Sequence, residues 1–346
     1  MGQTKCKEDD MLHRERLKTI FAGRAADRSG FWMGNPDTES WPGLLSYFGA
    51  TDQEAVRWRL NDDYRWFPAG DYRHPEGLSP FPRRDATKHN FGAAGPLADC
   101  ETVSDVEVLF PHPDPAYLDF SATLATLDAA GDVYRGGGMW GCHFDAIRNL
   151  FGFEECLVKM HTHPAVVEAA LARVSDFIHE GNRRFFELAG DRLDALFFGN
   201  DLGTQLDLLI SPEHFRRFLL PHFHRLIELS HRQGYPVILH SCGAIHKIIP
   251  DLIDAGLDAL HPLQAQAVNM DAATLARDFK GKIVFMGGID NQSFLVNATP
   301  AQVKDEVRRV CGLLGPCLVV SPSHETILPN VPPANIEAMS EAVNEG

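Results

Sequence analysis

The stretch Pro236-Val-Ile-Leu-His-Ser-Cys-Gly243 carries two residues whose types and spacing suit a metal. Tyr235 and residues 237–239 read as a short buried strand, and Gly243 turns the chain toward a helix. Strand residues two apart face the same way. His240 and Cys242 therefore present an imidazole nitrogen and a thiol sulfur to one point, and both are favoured zinc ligands. The competing reading is a buried His and Cys that only pack. A position at the C-terminal end of a barrel strand, where active sites collect, would favour ligation.

The elements that must position these residues follow a regular rhythm in the second half of the chain. Strands are expected near 133, 196, 237, 258, 283 and 318, each followed by a helical pattern. Ser211-Pro-Glu213 opens one helix with a cap, a proline at the first position and an acid in the first turn; it runs to about Gln233. Such alternation implies parallel strands joined by helical crossovers. An earlier strand spans 30–34. Helices are expected near 11–21, 41–63, 116–130, 143–157 and 163–189. Residues 64–105, rich in Pro, Gly, Arg and aromatics, must supply one more strand and otherwise read as a hairpin and loop covering a cleft. Eight strands close a (β/α)8 TIM barrel, preceded by a helical extension over 1–29, with 1–346 as one barrel domain. The alternative is an open doubly wound sheet, but no G-x-G-x-x-G follows any strand.

In a barrel the polar strand ends converge on one face. They are Asn200, Asp201, Gln205, His240, Cys242, His261, Gln264, Asp290, His324 and Glu325. A catalytic zinc wants three protein ligands and an open position. His240 and Cys242 supply two, and the last strand's turn supplies the third, as His324 or Glu325. Cys317 is a softer rival, but it begins that strand, roughly 20 Å of extended chain below His324. Asp201 and His261 are candidates to position a small molecule. Trp32 and Met33 are candidate lining residues. Asp290 reads more naturally as a turn residue, and His161 and His163, just before Pro164, as loop residues.

Bulk properties narrow the classes. The formal charge is −15, a poor match for nucleic acid or an anionic membrane. No apolar run is long enough to span a bilayer, and the first ten residues lack a signal peptide's apolar core. Seven scattered cysteines without a C-x-x-C argue for a reducing, cytoplasmic home.

Five stretches together resemble the uroporphyrinogen decarboxylase superfamily: Phe31-Trp-Met-Gly34, Asn200-Asp-Leu-Gly-Thr-Gln205, His240-Ser-Cys-Gly243, Met286-Gly-Gly-Ile-Asp290 and Ile327-Leu-Pro-Asn-Val-Pro-Pro-Ala-Asn-Ile-Glu-Ala-Met339. The resemblance implies a (β/α)8 barrel and two functional branches, porphyrinogen decarboxylases without a cofactor and zinc-dependent methyltransferases that use cobalamin. The decarboxylases carry R-Q-A-G-R after the first strand to hold substrate carboxylates. Here Met33-Gly-Asn-Pro-Asp-Thr-Glu39 has two acids and no arginine, which would repel such a substrate. The methyltransferase branch has H-x-C after the fifth strand and a Cys in a P-G-C turn after the last. His240 and Cys242 match the first, whereas Pro322-Ser-His324 replaces the second, with one extra residue before Pro329.

The resemblance thus implies a zinc methyltransferase moving a methyl group between a corrinoid and a small methyl donor or thiol acceptor. Zinc would sit on His240, Cys242 and His324, with Asp201 and His261 as catalytic groups. Substrate contacts would come from Trp32, Met33, Asn200, Gln205, Gln264 and Asp290. The corrinoid would arrive on a partner protein, because no D-x-H-x-x-G motif is present. A homodimer is an open expectation. The alternatives are a decarboxylase of a smaller acid, using Asp201 and the arginines of 57–84, or a zinc hydrolase.

Overall fold

The computed structural model describes residues 11–82 and 93–345. Eight parallel strands form one sheet: β1 (Gly30–Phe31), β2 (Tyr64–Pro68), β3 (Tyr134–Gly138), β4 (Ala195–Gly199), β5 (Val237–His240), β6 (Ala259–His261), β7 (Val284–Ile289) and β8 (Leu318–Pro322). Each pairs with its neighbour in sequence from β2 to β8, and β8 returns to pair with β1. The remaining seam, between β1 and β2, is joined where the Asp63 N–H donates to the Phe31 carbonyl. The Asp63 carboxylate accepts the Phe31 N–H in return, at 2.8 Å. The architecture is a (β/α)8 barrel with flanking helices.

Strand alternation sorts the apolar residues into two cores. Ala195 and Phe197, Ile238, Ala259, Val284 and Met286, and Val319 fill the barrel interior together with Trp32, Tyr64 and Tyr134. Their neighbours Leu196, Phe198, Leu239, Leu260, Phe285 and Val320 pack outward under the helices. His240 shares the parity of Ile238, and His261 that of Ala259. Both therefore face inward at the C-terminal mouth. The helix His13–Phe21 closes the opposite end, placing Leu17 and Ile20 in the interior core.

Several sequence expectations change at element scale. The helix expected over 41–63 is two helices, Trp41–Phe48 and Gln53–Arg59. Gly49 ends the first in the left-handed conformation, and the Asp52 side chain caps the second. Residues 64–105 supply the one strand expected there, Tyr64–Pro68 as β2, and Asp71–Tyr72 pairs antiparallel with Leu118–Asp119. Residues 83–92 of the expected cover lie outside the described part. The 116–130 helix shortens to Ser121–Ala129, because Leu118–Asp119 is taken by that ladder. His161 is not in a loop: it belongs to the helix Phe153–Thr162, and His163 is the junction to Pro164–Ala189. The helix begun at Ser211 passes through a wider turn at Phe215–Leu219 before Leu220–Arg232. Pro221 lacks an N–H for the ordinary ladder, and the wider turn accommodates it.

Candidate active site

His240 ends β5 and faces the centre of the mouth, 3 % exposed. Its Nε2 lies 3.4 Å from Cys242 Sγ. Zinc bonds of about 2.3 Å to sulfur and about 2.0 Å to nitrogen, at a tetrahedral angle, set those atoms about 3.5 Å apart. His324 completes a trio in which one ligand atom from each residue lies within 4.8 Å of the others. The His324 Nδ1 accepts the Thr326 N–H, which leaves Nε2 as its free ligand atom. A second trio shares His240 and adds His261 and Glu325. It occupies the other edge of the ring, where His240 Nδ1 is 3.1 Å from His261 Nδ1 and 3.3 Å from Glu325 Oε2. A ligating histidine ordinarily donates its second ring N–H to a carboxylate or another acceptor. His261 and Glu325 are placed to receive it.

Local backbone bonds hold these loops. The Asp201 carboxylate accepts the Cys242 N–H at 3.0 Å and lies 3.4 Å from His240 Nε2. Gln264 Oε1 accepts both the Gly243 N–H and the Gln205 amide, so the turns after β4, β5 and β6 are latched together. Gly243 adopts φ +89°, and a Cβ there would meet the Gly203 backbone at 2.3 Å. Only glycine permits that approach. The turn with His324 is held from two sides. Asn291 donates to the carbonyls of His324 and Thr326, and the Asn35 N–H donates to the Glu325 carbonyl. Asn35–Pro36 and Thr326–Ile327 then pair in parallel.

The other candidates divide. Trp32 is fully buried inside the barrel with its ring centroid 5.2 Å from that of His261. Met33, one residue on, faces the outer core instead. Asn200 is buried and clamps the loop after β3, accepting the Phe144 N–H and donating to the Gly141 carbonyl. Asp290 accepts the N–H groups of Gln292, Ser293 and Phe294, which makes it a turn cap. Cys317 precedes β8 and packs against the interior core that includes Leu17 and Ile20. Two residues escaped the sequence reading, Trp66 and Trp140. The Trp140 ring lies 5.2 Å from His240 and 5.3 Å from Trp66. Trp140 follows the glycine run that ends β3, so the strand-end rule applied to His240 would have found it.

Electrostatics separate the groups. Burial, with Asp201 and Glu325 adding to it, pushes the Cys242 thiol far above its ordinary value. Burial also raises the Asp201 carboxyl, but the hydrogen bond and charge of His240 and the Cys242 N–H outweigh it and hold it well below the usual range. Burial, reinforced by His240 and His324, keeps His261 neutral. His261 Nε2 and Glu325 Oε2 are buried without a hydrogen-bond partner. Thus the trio offers an acidified-on-binding thiol and two imidazoles, with unpaired buried groups directly behind them.

Residues 98–346 match the family model for uroporphyrinogen decarboxylase (URO-D). With the barrel and the converging strand ends, this places the chain in the uroporphyrinogen decarboxylase family. Among solved structures it is similar to a methyltransferase from Methanosarcina mazei, with TM-score 0.68 and 17 % identity over 97 % of this chain and 99 % of that one. It also aligns with a putative vitamin-B12 independent methionine synthase from Listeria monocytogenes, with TM-score 0.44 and 10 % identity over 92 % and 95 % of the two chains. No curated relative matches the sequence. Among the described residues no helix is long and apolar enough to cross a membrane.

Proposed function

We propose that this barrel is a zinc-dependent methyltransferase that moves a methyl group between a corrinoid on a partner protein and a small molecule. The observation that carries the reading is the 3.4 Å approach of His240 Nε2 to Cys242 Sγ, with His324 in the same trio. The donor set fits zinc: one sulfur and two nitrogens within 4.8 Å of one another, the His240–Cys242 pair at tetrahedral spacing, and acceptors behind His240. Bound zinc would act as a Lewis acid, lowering the pKa of a thiol or polarising a methylated heteroatom. His240, Cys242 and His324 would hold it. Asp201 fixes the Cys242 backbone, and Gln205 and Gln264 hold the surrounding turns in register. Neutral His261 supports the ring of His240.

The decarboxylase alternative is weakened by where the arginines go. Arg57 pairs with Asp62, Arg65 with Glu54 and Asp62, and Arg73 with Asp119. Arg59 donates to the Phe48 carbonyl. Arg83 and Arg84 lie outside the described residues. None of the four described arginines is bonded to the mouth residues. The test is metal analysis of purified protein, followed by corrinoid absorbance with candidate donors and thiols. About one zinc per chain and a gain or loss of corrinoid methyl are expected. Turnover of uroporphyrinogen, or full activity after chelation, would replace this reading with metal-free decarboxylation.

A further inference from the structure

We infer that a groove on the outside of the barrel, behind β2, is a second binding site, for an uncharged two-ring molecule carrying a carbonyl oxygen. The groove runs between the helices Gln53–Arg59 and Ser121–Ala129 and holds about 920 Å³, the size of a small-molecule pocket. None of His240, Cys242, His261 and His324 lines it. Strand alternation creates its floor: Tyr64 and Trp66 pack toward the interior core, and Arg65 and Phe67 face the other way. Ala122, Thr126 and Ala129 line the facing helix at spacings of four and three, one side of its surface. Side chains this short leave open space over the strand. Trp58, more than a third exposed, forms the wall opposite and gives a ring a surface to pack on.

Arg65 supplies the polar anchor. It lines the groove yet is only 6 % exposed, and its guanidinium lies 5.5 Å from the Trp58 ring centroid. Its Nε–H is taken by the Glu54 carboxylate and its Nη1 by the Asp62 and Tyr64 carbonyls. Nη2 is buried without a hydrogen-bond partner; Glu54 Oε2 stands 3.0 Å away, but the two are not hydrogen-bonded. A buried donor left over in this way calls for an acceptor. The charges around it rule out an ion. Arg57 and Arg65 pair with buried Asp62, Arg65 also pairs with Glu54, and Arg73 pairs with Asp71 and Asp119. An anion would have to displace one of these carboxylates, and a cation at the anchor would face two guanidiniums. A carbonyl oxygen accepts the Nη2 proton and brings no net charge.

Probes of one shape test this on the full chain. Benzophenone, diphenylmethane, 4-benzoylbenzoate and 4-(aminomethyl)benzophenone are titrated by calorimetry, with and without added zinc. Benzophenone should bind about tenfold more tightly than diphenylmethane, which has the rings without the oxygen, and than either ion. Its affinity should be the same with and without metal, so the outcome is separate from the zinc reading. Ala129→Trp, which fills the groove, should weaken it about tenfold or more. Arg65→Lys, which keeps the charge but removes Nη2, should reduce benzophenone to the affinity of diphenylmethane. Irradiation couples bound benzophenone to a neighbouring C–H, and peptide mapping should place the label within 53–67 or 121–131. No binding of benzophenone, equal binding of diphenylmethane or of an ion, a label confined to the mouth loops, or unchanged binding in folded Ala129→Trp overturns the inference. Should Arg65→Lys fail to fold, the comparison of benzophenone with diphenylmethane in the unaltered protein decides the role of the oxygen.

Discussion

Cys242 holds its proton tightly in the metal-free site, since burial and two nearby acids all oppose the thiolate. A metal must displace that proton, so binding is coupled to pH. Zinc affinity should rise with pH across the neutral range, by up to about tenfold per unit for one proton released. A competition assay with a chelator of known pH dependence measures this, and a pH-independent affinity would show that Cys242 is not a ligand. The third ligand is tested by substitution. His324→Ala should lose at least about 100-fold in zinc affinity, and His324→Cys should keep the metal. Cys317→Ser should keep both zinc and activity, because Cys317 packs against the interior core below β8. The pairing of His240 with Cys242 was legible from a two-residue spacing, because strand alternation leaves no freedom. Glu325 beside His240 Nδ1 was not legible as an outer partner. Its placement depends on Asn291 and Asn35, which come from two other loops.

At the scale of elements, the strands from β4 to β8 were legible because each is a short apolar run ending in glycine or polar residues, and β3 because its residues run into three glycines. β1 was legible within the strand expected over 30–34, whereas β2 was expected only somewhere in 64–105. β2 contains Arg65, a charge that sequence patterning assigns to a loop. Arg65 is buried there through its bonds to Glu54 and the carbonyls of Asp62 and Tyr64. The β1–β2 seam depends on Asp63, which is fully buried and bonded to His13, Arg16, Arg28 and the Phe31 N–H. Burial raises its carboxyl, but the hydrogen bond from His13 and the charges of Arg28 and Arg16 outweigh that and hold it low. A carboxyl lowered by folding stabilises the fold above its unfolded value of about 3.9 and loses that support as pH falls through the folded value. Asp63→Asn should therefore cost about 3–5 kcal/mol at neutral pH, read by urea unfolding, because it leaves Arg28 without a carboxylate partner and Arg16 with only Asp27. A loss under about 1 kcal/mol would mean that the seam does not depend on this charge.

For the whole molecule, the acid limb of stability should be set in part by His143. It is fully buried at the start of the helix His143–Phe151, with Nδ1 unpartnered and His222 stacked beside it. Burial, with His222 adding to it, lowers its pKa to about 3. The unfolded chain binds this proton near pH 6.5 and the folded one does not. Stability is thus full above about pH 6.5 and falls on the order of 1.4 kcal/mol per pH unit below it. His143→Gln should flatten the decline between about pH 6 and pH 4 in thermal melts. An unchanged slope would assign the acid limb to other groups.

Asp63 closes the ring between β1 and β2, and each of those strands is otherwise laddered to the arc from β3 to β8, β1 to β8 and β2 to β3. β1 and β2 lie before residue 98, where the match to the family begins, and β3 to β8 lie after it. His240, Cys242 and His324 all come from that six-strand arc. Trp32, just past β1, and Trp66, within β2, come from the two strands that flank the seam. The candidate metal ligands and these two indoles therefore sit on different strands of one sheet. A substitution at Trp32 or Trp66 would change the lining of the barrel without replacing any of His240, Cys242 and His324.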